Sequence, residues 1–153
     1  MPAELPRTLW SLDTQALEYL SASDVRFLTT VGLPSSEEGY LAIPPTTEAL
    51  DRCPPDHLAL AEDGPTVLCA GPMGVIAIEP DGSRFVNGSV EQLSKMLELY
   101  SQYRESVRTL SDEEAEALVS QVALRMTLCD PLALEDPDSY WSVILEQMEH
   151  GHL

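Results

Sequence analysis

Three histidines, three cysteines and 26 carboxylates are the side chains here that could hold a metal, attack a substrate or move a proton. His150 and His152 are spaced i, i+2, which suits two ligands on a strand rather than at a helix end, so no metal site is read there. His57, beside Asp56 in a strand-like segment, reads as a satisfied or surface histidine rather than a general base. Cys129 lies on an apolar helical face with no histidine signal to pair with it, and packing is its expected role. Ser35-Ser36 and Gly71-Pro72-Met73-Gly74 are turn chemistry, matching neither a nucleophile elbow nor a phosphate loop. Glu37-Glu38 and Glu62-Asp63 lack the alternating acidic order of a calcium loop. No catalytic residue, metal site or cofactor is expected.

The carboxylates have another use. Against 8 Lys and Arg they leave the 153 residues with a formal charge of −18. Solubility of a small domain needs a magnitude of only about 2–8. An acidic tail would be poor in apolar residues, yet 44% of this chain is hydrophobic and recurs at helical and strand spacings. Such a surplus on a folded body suits a cationic partner, because complementary fields speed association. It disfavours nucleic acid and anionic membrane surfaces as direct partners, both being polyanions.

The elements that must carry this charge read as one domain over 1–153. Asp13 can cap a short helix bearing Ala16, Leu17 and Leu20, and Ser23 a second bearing Leu28 and Val31, which Gly32 and Pro34 would end. Trp10, between Leu9 and Leu12, reads as core in preference to an exposed recognition residue. Residues 40–43 read as a strand stopped by Pro44-Pro45. Four more strands are expected at 57–61, 66–70, 75–79 and 84–86, joined by turns at Gly64-Pro65, Gly71–Gly74 and Pro80–Ser83. Loops this short dictate antiparallel pairing.

Three helices should follow. Ser89/Gln92 and Ser111/Glu114 have capping-box spacing, and Asp112, Glu113 and Glu114 suit a helix N-terminus. Leu93, Met96, Leu97, Tyr100 and Val107 form one apolar stripe; Leu118, Val122, Met126 and Cys129 should be the buried face of the next helix. Asp136-Pro137 reads as cap and first residue of the last helix, whose stripe is Trp141, Ile144, Leu145 and Met148. The fold class is α+β: an antiparallel meander flanked by short N-terminal helices and three C-terminal helices. Cys53, Cys69 and Cys129, odd in number and widely spaced, are expected to be reduced thiols. Met1-Pro2-Ala3-Glu4 has no signal-peptide character and no apolar run approaches a membrane span, which points to the cytoplasm.

Three segments in order resemble a known family. Phe27–Pro34 (FLTTVGLP) is similar to its "fL-x-x-vGLP" opening, and Val86–Leu93 (VNGSVEQL) to its "vNsSleqf" segment. Asp130-Pro131-Leu132-Ala133-Leu134 with Ser139–Glu146 (SYWSVILE) resembles its closing "DP-x-al…fW-x-x-vleE". Over about residues 25–150 the chain thus resembles the SUKH-4 branch of the SUKH superfamily of bacterial immunity proteins, related to the Smi1/Knr4 proteins. The resemblance implies an α+β domain, without catalytic residues, that neutralises a cognate polymorphic toxin, often a nuclease or nucleic-acid deaminase. The alternative is a regulatory adaptor of the Smi1/Knr4 type that meets no toxin.

Joined to the charge, the resemblance implies a toxin with a basic surface, gripped by carboxylates acting as phosphate mimics. The candidates are the loop carboxylates that cap no helix, namely Glu37, Glu38, Glu48, Asp51, Asp56, Glu62 and Asp63. The proline-rich loop between Ile43 and His57 would belong to the same binding surface. Asp112, Glu113, Glu114 and Asp136 are set aside as helix-terminus residues.

Overall fold

In a computed structural model that describes residues 6–35 and 41–151, the chain is α+β, with a four-stranded and a two-stranded antiparallel sheet. The larger sheet is a meander in the order β3 (Leu58–Asp63), β4 (Thr66–Gly71), β5 (Gly74–Glu79), β6 (Gly82–Asn87). Two-residue loops join these strands, since Asp63 pairs with Thr66, Gly71 with Gly74 and Glu79 with Gly82. Such loops leave no room for a crossover. Leu41–Ile43 does not form the expected strand. Ala42 alone bridges Glu62 before Pro44-Pro45, which lack N–H donors, and Tyr40 lies outside the described residues.

Both faces of the sheet are covered, which is why its inner strands read as continuous apolar runs. Leu68, Ala70, Val75 and Ala77 face the main core, under α4 (Val90–Val107) and α6 (Tyr140–Glu149), with α5 (Asp112–Cys129) packed against those two helices. A bulge between Ala59 and Ala61 lets Leu60 and Ala61 both pack into that core. The other face carries a smaller cluster of Ala59, Val67, Cys69, Ile76 and Ile78, closed by Ala49 of the short helix α3 (Thr47–Leu50).

That helix also overturns the expectation of reduced thiols. By folding onto β3 and β4 it brings Cys53 to a Cα–Cα distance of 6.3 Å from Cys69, and the two are joined as a disulfide. Chain spacing could not reveal this, because the pairing depends on α3 lying back across the sheet. Cys129 remains a thiol.

At the N-terminus, β1 (Arg7–Thr8) pairs with β2 (Leu33–Pro34), with α1 (Thr14–Tyr19) and α2 (Ala22–Thr30) between them. Gly32 makes the approach possible: its φ is +78°, and a Cβ there would lie 2.1 Å from the Thr8 carbonyl oxygen. Asp13 caps α1 as expected. Ser21, not Ser23, caps α2, accepting from the Asp24 N–H at 3.1 Å; the helix starts earlier, so Ser23 lies inside its first turn. Of the apolar residues these two helices bear, Leu17 and Val31 are exposed; Trp10 is half-buried against the core.

The earlier start positions Asp24, whose buried carboxylate accepts the Val90 N–H at 3.0 Å and so fastens α2 to the first turn of α4. Ser89 caps α4, and Ser111 with Glu114 forms the full reciprocal box at α5. The buried face of α5 is Val119, Val122 and Met126, with Leu118 and Cys129 at its margins. The cap of α6 is Ser139 rather than Asp136. A 3₁₀ turn at Pro131–Leu134 and an Asp136 turn, whose Oδ1 accepts the Asp138 N–H at 2.8 Å, delay the helix by three residues.

Candidate functional site

Two buried polar residues tie the second and third family-like segments together. Asp130, at the end of α5, accepts from Asn87 Nδ2 at 2.9 Å and from the Gly88 N–H at 3.0 Å, both on Oδ2. Asn87, at the end of β6, in turn accepts from Trp141 Nε1 of α6 at 2.9 Å through its own Oδ1. All three side chains are buried, and each bond is directional in a low-dielectric core, so the network fixes sheet, α5 and α6 in one register. The sequence marked Trp141 as core but gave no sign that Asn87 was its acceptor or that Asp130 held Asn87 in turn. This cluster is architecture, closed to any external molecule.

The described carboxylates proposed from sequence lie along the α3–β3 side. Glu48 and Asp51 belong to α3 and its end, Asp56 to the turn entering β3, and Glu62 and Asp63 to the close of β3. Glu37 and Glu38 lie outside the described residues. Glu62 is already engaged: it accepts the Thr46 N–H at 2.6 Å and pairs with Arg52 at 3.3 Å. The hydrogen bonds from Thr46, with Arg52 beside them, hold its carboxyl below the usual range. Arg52 also donates to the Pro65 carbonyl at 2.8 Å, so Glu62 tethers the 44–57 loop to the hairpin. Glu48, Asp51, Asp56 and Asp63 are exposed.

A second acidic region, missed by the sequence, lies where the β5–β6 hairpin meets the start of α6. An open groove of about 390 Å³ there is lined by Glu79, Asp81, Arg84, Asp136 and Asp138, with Phe85 as its apolar wall. Arg84 is fixed by Glu79 and donates to the Asp138 carbonyl at 2.9 Å. Asp136 was set aside as a helix cap; with Ser139 as the cap, its carboxylate borders this groove instead. A neighbouring hollow of about 400 Å³ shares Phe85, Asp136 and Ser139 and extends to Leu132 and Glu135.

Candidate chemistry elsewhere is muted. Burial, opposed by Lys95, pushes the Cys129 thiol up, and its Sγ donates to the Gln92 carbonyl at 3.8 Å, an inert packed arrangement. His57 packs against Gly71, where a Cβ would collide with the ring; its Nδ1 is buried without a partner among the described residues. Among the described residues no group of three or more His, Cys, Asp or Glu could hold a metal ion, and no helix is long and apolar enough to cross a membrane.

No curated protein and no solved structure matches the chain. The family profile described as SUKH-4 immunity protein does, over residues 7–147, a span that contains the β1–β2 pair, the whole meander, and the Asn87–Asp130–Trp141 network. The chain therefore belongs to the SUKH-4 immunity protein family.

Proposed function

We propose that this protein binds and neutralises a cognate toxin that acts on nucleic acid, a nuclease or nucleic-acid deaminase, in the cytoplasm of the cell that carries both genes. Membership of the family supports an immunity function and implies a toxin as partner, and proteins of this family are generally non-enzymatic. The charge supports the finer reading. Of the 8 Lys and Arg, Arg7, Arg52 and Arg84 are already paired with Glu98, Glu62 and Glu79, so little cationic surface offsets the remaining acid. A toxin that grips phosphates carries a basic cleft, and carboxylates can occupy it while pairing with its arginines. Inhibition then needs no chemistry, only occupancy through about 1,200–2,000 Å² of interface.

The test is to mix this protein with the product of the neighbouring toxin-like gene and to co-express the two. A 1:1 complex whose association slows with added salt, with rescue of the cells, supports the reading. Binding that is indifferent to salt would remove the electrostatic part. An absence of both complex and rescue would remove the proposal and favour a regulatory adaptor.

A further inference from the structure

We infer that the toxin docks on the outer face of α5 and the groove beyond its end, a surface with an apolar centre and acidic margins that fits a basic protein offering an apolar anchor. The inference rests on the immunity reading above. Leu124 and Leu128 of α5 and Leu132 of the following 3₁₀ turn are 62%, 76% and 59% exposed. Their spacing of four residues sets Leu124 and Leu128 on one helical face and carries the stripe into the turn. Leu132 also lines the hollow walled by Phe85, so stripe and hollow are continuous.

The charge along the chain follows the same division. From Ala117 to Leu134 there are two charged residues, Arg125 and Asp130, and Asp130 is buried, so this stretch of a −18 chain shows no exposed carboxylate. Acid resumes at both ends, with Asp112–Glu114 and Glu116 on one side and Glu135, Asp136 and Asp138 on the other. A charge-depleted apolar centre within a charged rim is the anatomy of a protein interface, and single exposed leucines elsewhere lack it. A second copy of the chain fits poorly: antiparallel pairing of two α5 helices would set acidic start against acidic end, and parallel pairing would set each against itself. A basic partner meets neither penalty.

The probe is the purified product of the neighbouring toxin-like gene, with Kd measured for the intact chain and three variants at fixed salt. Leu128→Arg and Glu135→Lys change exposed side chains, and circular dichroism checks that they fold. Asp51→Lys alters the α3 side as a control. The expected result is a loss of about a hundredfold for Leu128→Arg, a smaller loss with a slower on-rate for Glu135→Lys, and no more than about threefold for Asp51→Lys. Unchanged binding by Leu128→Arg overturns the docking surface and leaves the immunity reading standing. So does sedimentation showing that the intact chain self-associates through Leu128 while the variant still binds toxin. If the intact chain itself fails to bind, the immunity reading falls and the docking surface with it.

Discussion

Replacing Asn87 by Ala removes a side chain that serves two buried partners at once. Trp141 Nε1 loses its acceptor at 2.9 Å, leaving an indole N–H in a closed core at a cost of about 1–3 kcal/mol. Asp130 keeps the Gly88 N–H but loses the Asn87 amide from the same carboxylate oxygen, a charge-assisted bond of about 1.5–3 kcal/mol. Allowing for partial overlap, the loss should be about 3–5 kcal/mol, a large part of the roughly 5–15 kcal/mol that holds a domain together. At about 2–4 °C per kcal/mol for this size, the Tm should fall by roughly 6–20 °C. Asp130→Asn keeps an oxygen where both donors point and should cost only about 1 kcal/mol. In the Asn87→Ala background the same change removes an under-satisfied buried charge, so it should cost nothing or stabilise. Urea unfolding with a constant m-value measures all four corners of this cycle. A loss below about 1 kcal/mol for Asn87→Ala, or an Asp130→Asn cost that is the same in both backgrounds, would refute the idea that the network locks the fold.

Burial holds the Asp24 carboxyl above its ordinary value of 3.8, despite the opposing hydrogen bonds from Val90 and Ser21. A raised folded value means that its favourable contribution is complete below 3.8 and is lost as pH rises through the folded value. Asp24→Asn, whose amide oxygen can still accept the Val90 N–H, should therefore match or exceed the native Tm at pH 7. That advantage should vanish as melts are repeated toward pH 4; one that grew with acidity would reverse the sign. Opening the Cys53–Cys69 bond, which spans 16 residues, should cost about 3 kcal/mol, read as the difference between urea curves with and without a phosphine reductant. Alkylation of thiols in quenched cells tests the proposed compartment, since a fully oxidised pair would speak against the reducing cytoplasm. Gly32→Ala, with its Cβ driven into the Thr8 carbonyl, should cost about 2 kcal/mol or more by thermal melt, against about 1 for Gly64→Ala, which has the same handedness and open space.

What the sequence revealed and what it hid divide along one line. Local signals held at most places where the determining atoms lie within a few residues, the cap of α2 on Ser21 rather than Ser23 being the exception. Asp13, Ser89 and Ser111 accept the N–H groups their spacing promised, and the short loops dictated the meander. The other errors came where a separate element decided. Ser139 displaced Asp136 as a cap because its hydroxyl is anchored at 2.6 Å to the Ala133 carbonyl of the preceding 3₁₀ turn. Cys53 found Cys69 because α3 lies over β4, and Glu62 is no free carboxylate because Arg52 reaches it from the loop. The pairing of β1 with β2, two residues each, depends on Arg7 donating to the Gly32 carbonyl at 2.7 Å and to Ser94 of α4 at 3.0 Å. No periodicity announces a strand so short.

The same line separates family from partner. The residues by which the chain resembles its family include Leu28, Leu33, Asn87, Asp130 and Trp141, and all of these are buried. A buried side chain can fix the register of sheet and helices, but it cannot touch a toxin. Whatever selects one toxin over another must therefore reside in exposed residues that the family signature does not include, such as Leu128 of α5 with Glu135 and Asp136 beyond it, or Glu48 and Asp51 at α3. An immunity protein built this way can change its partner by replacing surface residues at about ±0.5 kcal/mol each in stability, while the Asn87–Asp130–Trp141 lock holds the frame. Exchanging the exposed residues of α5 between two members of the family should then transfer toxin specificity without lowering the Tm of either.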